Sequence, residues 1–165
     1  MTRITVLSDT HIPQRAKDIP QRLWEEIKKA DLVLHAGDAV KPSILENIAQ
    51  FTPIRAVRGN MDSKELQITL PDQDVVEVDG VKIGLAHGRG APNQVKSYVR
   101  SLFEGYDLQV LVFGHSHQPE LTNENGVWYL NPGSPTDKIF TPYLSYARME
   151  IDKGSINEII IVSLT

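Results

Sequence analysis

Arg3-Ile-Thr-Val-Leu-Ser-Asp-Thr-His11 opens as an alternating, β-branched run through Ser8 and passes directly into Asp9 and His11. Alternation of this kind predicts a strand with one face turned inward, so Asp9 and His11 belong to a loop at the strand's tip. The pattern recurs twice. Asp31-Leu-Val-Leu-His35 is a short apolar run ended by Ala-Gly-Asp38, and Pro53 to Val57 is another, ended by Arg58-Gly59-Asn60. Between them, Pro20 to Lys29 carries Leu23, Trp24 and Ile27 at helical spacing with Ala30 just beyond, and Pro42 to Gln50 carries Ile44, Leu45, Ile48 and Ala49. Proline at the first position suits a helix start, since its missing N–H is unpaired there in any case. Three strand–loop–helix units predict a parallel sheet whose carboxyl edge gathers the polar residues.

The second half changes character. Asp74 to Val78 and Val81 to Ala86 flank Asp79-Gly80, a strong hairpin signal, and His87-Gly88 follows. Pro92 to Phe103 reads as a helix through Val95, Tyr98, Val99, Leu102 and Phe103, and Gln109 to Phe113 as a buried strand delivering Gly114-His115-Ser116-His117. Strands near Glu120–Asn123, Val127–Asn131, Leu144–Ile151 and Ile156–Leu164, with turns at Asn125-Gly126 and Lys153-Gly154, predict antiparallel pairing and a second sheet. No repeat, low-complexity segment or linker divides the chain, so residues 1–165 form one domain on this reading.

Composition narrows the function class. A chain of 165 residues can bury roughly 70 % of its unfolded surface. With 41 % hydrophobic and 23 % charged residues it reads as globular rather than disordered or coiled-coil. The absence of cysteine removes disulfides, thiolate nucleophiles and cysteine-bound zinc, and fits a cytoplasmic protein. No leader or membrane span is expected near Met1–Ser8 or elsewhere. A net charge of -4 argues against binding to polymeric nucleic acid or a membrane through a general basic surface.

Taken singly, Asp9-x-His11, Gly37-Asp38, Gly59-Asn60 and His87-Gly88 each have an ordinary reading as turn chemistry. Their joint placement decides otherwise, because four of the five histidines fall at predicted strand ends together with Asp9, Asp38 and Asn60. Oxygen and imidazole donors without thiolate suit a hydrolytic two-metal site rather than a structural zinc knot. His35, inside its strand, is read as a hydrogen-bonded supporting or core residue.

The ordered set D-x-H, G-D, G-N, H-G and G-H-x-H resembles the calcineurin-like metallophosphoesterase superfamily. Gly59-Asn-Met-Asp62 and Asn131-Pro-Gly-Ser134 are similar to its compact bacterial and archaeal phosphodiesterase branch, which includes the Vps29 scaffold proteins. The resemblance implies a four-layer α/β/β/α sandwich, two mixed sheets face to face with helices outside. It further implies two divalent cations about 3.5–4 Å apart, with an activated water attacking phosphorus in line. Asp9, His11 and His117 would bind one cation, Asn60, His87 and His115 the second, and Asp38 would bridge them. Manganese is the expected metal, with iron, nickel, zinc or magnesium as alternatives.

Two departures refine this expectation. Many larger relatives carry histidine after the G-N asparagine, where this chain has Met61, which donates no proton. General acid help is worth ~10²–10⁴-fold, so poor leaving groups should suffer most. Where many relatives read H-G-H, this chain reads His87-Gly88-Arg89, and Arg89 becomes a candidate clamp on a phosphate oxygen, with Arg58 a comparable candidate and surface roles the alternative for both. Asp62 is read as structural, and Asn131–Ser134 as a turn beneath the metal loops. The expected activity is a phosphodiesterase acting on a small or activated diester. The alternatives are a Vps29-like scaffold with vestigial catalysis, or a phosphomonoesterase. A homo-oligomer is compatible with the apolar helical and tail segments.

Overall fold

The computed structural model describes residues 1–165, and its chain order is β1 (Thr2–Leu7), α1 (Gln21–Lys29), β2 (Leu32–His35), α2 (Pro42–Ala49), β3 (Ile54–Ala56), α3 (Lys64–Thr69), β4 (Gln73–Val78), β5 (Val81–Ala86), α4 (Val95–Leu102), β6 (Val110–Val112), β7 (Glu120–Glu124), β8 (Val127–Asn131), β9 (Ser145–Asp152) and β10 (Ser155–Ser163). The strands form two five-stranded sheets, ordered β10-β9-β1-β2-β3 and β4-β5-β6-β8-β7. Strands β1, β2 and β3 are parallel, as the three repeated units predict.

The tail departs from the expectation. Rather than pairing as one antiparallel sheet, it divides: β7 and β8 join the second sheet, while β9 runs antiparallel to β1 and brings β10 with it into the first. The centre of the second sheet is itself parallel, β5 with β6 and β6 with β8. Helix α3 is an addition to the sequence reading, capped by Ser63 Oγ accepting from the Leu66 N–H. It is too short to show an apolar period, and it buries only Leu66. Helix α4 starts at Val95 rather than Pro92, because the preceding residues close a turn through the Gln94 N–H and Ala91 carbonyl.

Alternation explains the layers. Ile4 and Val6 of β1 meet Ile83, Leu85, Val110, Val112 and Leu130 of the other sheet in a dry inter-sheet core. Leu7 on the opposite face packs with Leu23, Ile27, Ile44 and Ile48 of α1 and α2. Val95, Val99 and Phe103 cover the outer face of the second sheet against Leu111, Phe113 and Tyr129. The result is the four-layer α/β/β/α sandwich, with each fully buried aliphatic side chain contributing about 1.5–3 kcal/mol before entropy is charged. No helix is long and apolar enough to cross a membrane.

Candidate metal centre

Two parallel trios, β1-β2-β3 and β5-β6-β8, present their carboxyl ends at one edge of the sandwich. Asp9 and His11 follow β1, Asp38 follows β2 and Asn60 follows β3. His87 leaves β5, while His115 and His117 leave β6. The seven residues that the sequence singles out as metal ligands therefore converge from both sheets.

Asp9 is fully buried, and its Oδ1 lies 3.3 Å from His117 Nε2, 3.7 Å from His11 Nε2 and 3.8 Å from His87 Nε2. Asp38 Oδ2 stands between His87 Nε2 at 3.1 Å and His11 Nε2 at 3.5 Å, a bridging position. Asn60 Oδ1 is 3.2 Å from His87 Nε2. Two groups of potential ligand atoms result, Asp9–His11–His117 and Asp9–Asp38–His87, sharing Asp9.

Five of the seven candidate ligands are held by a hydrogen-bond partner of their own. Asp9 Oδ2 accepts from Ser8 Oγ at 2.6 Å and from the His115 N–H at 3.0 Å. Asp38 Oδ1 accepts from the Met61 N–H at 2.8 Å. His87 Nδ1 donates to the Ala36 carbonyl at 2.7 Å, His115 Nε2 pairs with the Gly90 carbonyl at 3.1 Å, and His117 Nδ1 pairs with Asp137 Oδ2. Such partners fix ring orientation and tautomer. With Nδ1 of His87 and His117 donating, their Nε2 lone pairs face carboxylate oxygens.

Acceptors facing acceptors demand positive charge between them. Asp9 Oδ1 and His11 Nε2 are buried without a hydrogen bond, which leaves both atoms free to face a cation. Protonation responds to the same demand. Burial opposes charge on His87, yet Asp9 and Asp38 raise it to about 9; burial likewise opposes charge on His117, which Asp9 and Asp137 raise. Burial alone would raise the Asp9 carboxyl, but His87, His11 and His117 hold it well below the carboxylate range. His115 is lowered by burial and by His87. The donor set fits divalent cations that accept mixed oxygen and imidazole ligands.

The backbone is strained where the ligands are. Nine non-glycine residues have positive φ. Asp79, Asn125 and Lys153 each precede a glycine in a hairpin turn, and the other six, Asp9, His11, Asp38, Val40, His115 and His117, all lie at this edge. Left-handed residues, above all β-branched Val40 at φ 79°, cost on the order of 1–3 kcal/mol each and persist only where the surroundings enforce them. Close approach adds a constraint, since a Cβ at Gly59 would lie 2.2 Å from Asp38 Oδ1, and one at Gly114 would lie 1.9 Å from Ser8 Oγ.

Asp62, as expected, is structural: its carboxylate accepts from the N–H groups of Asp38, Val40 and Gly59. His35 is fully buried, receiving the Gly37 N–H on Nδ1 and pairing through Nε2 with Thr10 Oγ1. The Asn131–Ser134 turn supports the loops, with Asn131 Nδ2 donating to the Gly114 carbonyl and Ser134 Oγ to the Asp9 carbonyl. Asp137 was not foreseen; nothing in Pro135-Thr-Asp-Lys138 distinguishes it until the fold brings it to His117. Arg58 requires a correction. Its guanidinium donates to Asp72 and to the carbonyls of Gln67 and Leu70, so it fastens the end of α3 instead of reaching for phosphate. Arg89 lies 4.5 Å over the Tyr98 ring, in a neighbouring cleft that also contains Asn60. Five of the candidate ligands, His11, Asp38, Asn60, His115 and His117, line a cleft of about 510 Å³.

Comparison with known proteins agrees with this geometry. A model of the calcineurin-like phosphoesterase superfamily domain matches residues 2–154. A probable metallophosphoesterase of Methanothermobacter thermautotrophicus is 36 % identical over 151 residues, 91 % of this chain and 87 % of that one. A Thermotoga maritima protein solved by solution NMR is 34 % identical, with 99 % and 100 % of the two chains covered and a TM-score of 0.77. Vps29 of Chaetomium thermophilum shares the fold at a TM-score of 0.81 and 23 % identity, with 99 % of both chains covered.

Proposed function

The chain belongs to the calcineurin-like phosphoesterase superfamily, and from that premise we propose that it hydrolyses phosphodiesters, with a small or aryl-type ester as substrate and a pair of divalent cations as cofactor. The observation that carries the reading is the convergence of Asp9 Oδ1, Asp38 Oδ2 and the Nε2 atoms of His11, His87 and His117 beside an open cleft. Asp9, His11 and His117 would hold one cation and Asn60, His87 and His115 the other, with Asp38 between them. Divalent cations held there would supply positive charge at the phosphoryl oxygens and lower the pKa of water.

The cleft's own residues favour diesters. Apart from candidate ligands, Arg15 is its only charged side chain, and a guanidinium does not release a proton at neutral pH. With Met61 where a histidine donor would sit, no side chain is placed to protonate an alkoxide, so turnover depends on a good leaving group. Arg89, in the adjoining cleft, contributes a further positive charge to the approach of an anion. Manganese as the resident metal and a cytoplasmic setting complete the proposal, supported by the hard and borderline donor set and the absence of cysteine. A scaffold role alone gives no reason to keep six strained residues around unpaired acceptors.

The test is hydrolysis of bis(4-nitrophenyl) phosphate and 4-nitrophenyl phosphate with Mn²⁺, and in parallel with iron, nickel, zinc and magnesium. The diester should be preferred by about tenfold or more in kcat/KM, and Asp38→Ala should fall to background. Preference for the monoester, or wild-type activity equal to that of Asp38→Ala under every metal, overturns the reading.

A further inference from the structure

Phe140 is 59 % exposed at the mouth of the cleft, although the chain around it is firmly held. The N–H groups of Ile139 and Phe140 donate to Asp137 Oδ1 at 2.9 and 3.3 Å, and the Phe140 carbonyl accepts from Gln118 Nε2 at 3.1 Å. Thr141 Oγ1 donates to the Asp137 carbonyl at 2.7 Å. The other Asp137 oxygen pairs with His117, so one carboxylate orients a candidate metal ligand and fixes the segment that presents the ring. An apolar ring kept in water by this many hydrogen bonds is positioned, not merely left outside.

Arg15 lies across the ring, 5.3 Å from its centroid, and lines the same cleft. The chain's arginine ion pairs involve Arg3, Arg55, Arg58, Arg100 and Arg148, leaving Arg15 with only the ring for company. A guanidinium beside an exposed aromatic face attracts flat π systems and neighbouring negative charge together. Met61, 49 % exposed, adds a polarizable thioether to the cleft.

The geometry points to a stacking subsite, formed by Phe140 and Arg15, for the planar aromatic ester group of a phosphoester whose phosphorus sits at the candidate metal ligands. Nucleobases and aryl rings share the chemistry it reads. The inference rests on the phosphoesterase reading for where the phosphorus sits, and its binding test is independent of turnover.

On Mn²⁺-loaded protein, calorimetric titration should show AMP binding more tightly than ribose 5-phosphate. Phe140→Ala should weaken AMP by about tenfold, as loss of a base–aromatic stack does, while leaving ribose 5-phosphate within about twofold. Phe140→Trp should retain the preference. Phenyl phosphate against methyl phosphate separates the sources: preference there too means a bare aryl ring suffices, and preference for AMP alone assigns the subsite to nucleobases. In turnover, Phe140→Ala should raise KM for thymidine 5′-(4-nitrophenyl) phosphate with little change in kcat. Equal binding of each aromatic probe and its non-aromatic control by the wild type overturns the subsite, as does an equal loss for both in Phe140→Ala. A Phe140→Ala effect confined to oligomeric state on size-exclusion chromatography also overturns it, by showing that the ring serves self-association. Absence of diester hydrolysis with the AMP preference intact would refute the phosphodiesterase reading and leave the subsite standing.

Discussion

The two halves of the metal edge are built differently. Asp9, His11 and His117 are at most 9 % exposed, whereas the side formed by Asp38, Asn60, His87 and His115 meets solvent through Asn60 and His115. Their supports differ as well. His117 leans on a buried carboxylate, Asp137, while His87 and His115 lean on the backbone carbonyls of Ala36 and Gly90. A carboxylate partner makes an imidazole the stronger donor. On the two-cation proposal, the closed side would keep its ion, and the open side would exchange one with solution and meet substrate. Asp9 and Asp38 join the two.

The largest loss of bound metal should come from Asp9→Asn, because Asp9 belongs to both groups of potential ligands. Bound metal after desalting, measured by elemental analysis, should fall from two equivalents toward none, and diester hydrolysis by more than about 100-fold, beyond the usual loss from removing an orienting partner. Retention of either ion would break the comparison. His115→Ala should release only the exchangeable equivalent, leaving one that a mild chelator removes slowly. Asp137→Asn should do the reverse, weakening the retained equivalent by about 10–100-fold in a competitive metal titration while the exchangeable one is unchanged. If the two variants affected the same ion, the division into closed and open sides would be wrong.

The smallest effect concerns stability. Burial pushes His35 down to about 4, despite the opposing fields of Asp62 and Asp9. Its folded value lies below the unfolded one of about 6.5, so the unfolded chain binds the proton more readily between those values. The contribution is full above about pH 6.5 and lost as pH falls toward 4, by up to roughly 3 kcal/mol at 1.36 kcal/mol per unit. Urea unfolding of wild type and His35→Asn across this range isolates it, since the other ionisable groups are common to both. Parallel pH profiles for the two proteins would show that His35 does not carry the effect.

The gathering of the candidate ligands at one edge was legible in the sequence because each is a polar residue following an apolar run, and parallel strands send such ends to one edge. What escaped was set by distance in three dimensions. Asp137 stands 20 residues from His117 with no periodic pattern around it. Alternation in the tail shows which face of β9 is buried but not which strand it joins, and the vacant edge beside β1 settled that. Arg58 looked available for phosphate because the sequence does not reveal that the C-terminal end of α3 and the turn after it bring three acceptors toward it.

The hairpin turns at Asp79-Gly80, Asn125-Gly126 and Lys153-Gly154 fall at the end of the sandwich away from the ligands, since β5 and β8 climb from theirs toward the metal edge and β9 descends from it. Five residues of β8, about 16 Å of strand, separate Asn125-Gly126 from the loop that supports Asp9. A graft at that floor, where nothing crowds Gly126, could tether the protein to a bead or an electrode with its reactive face turned outward.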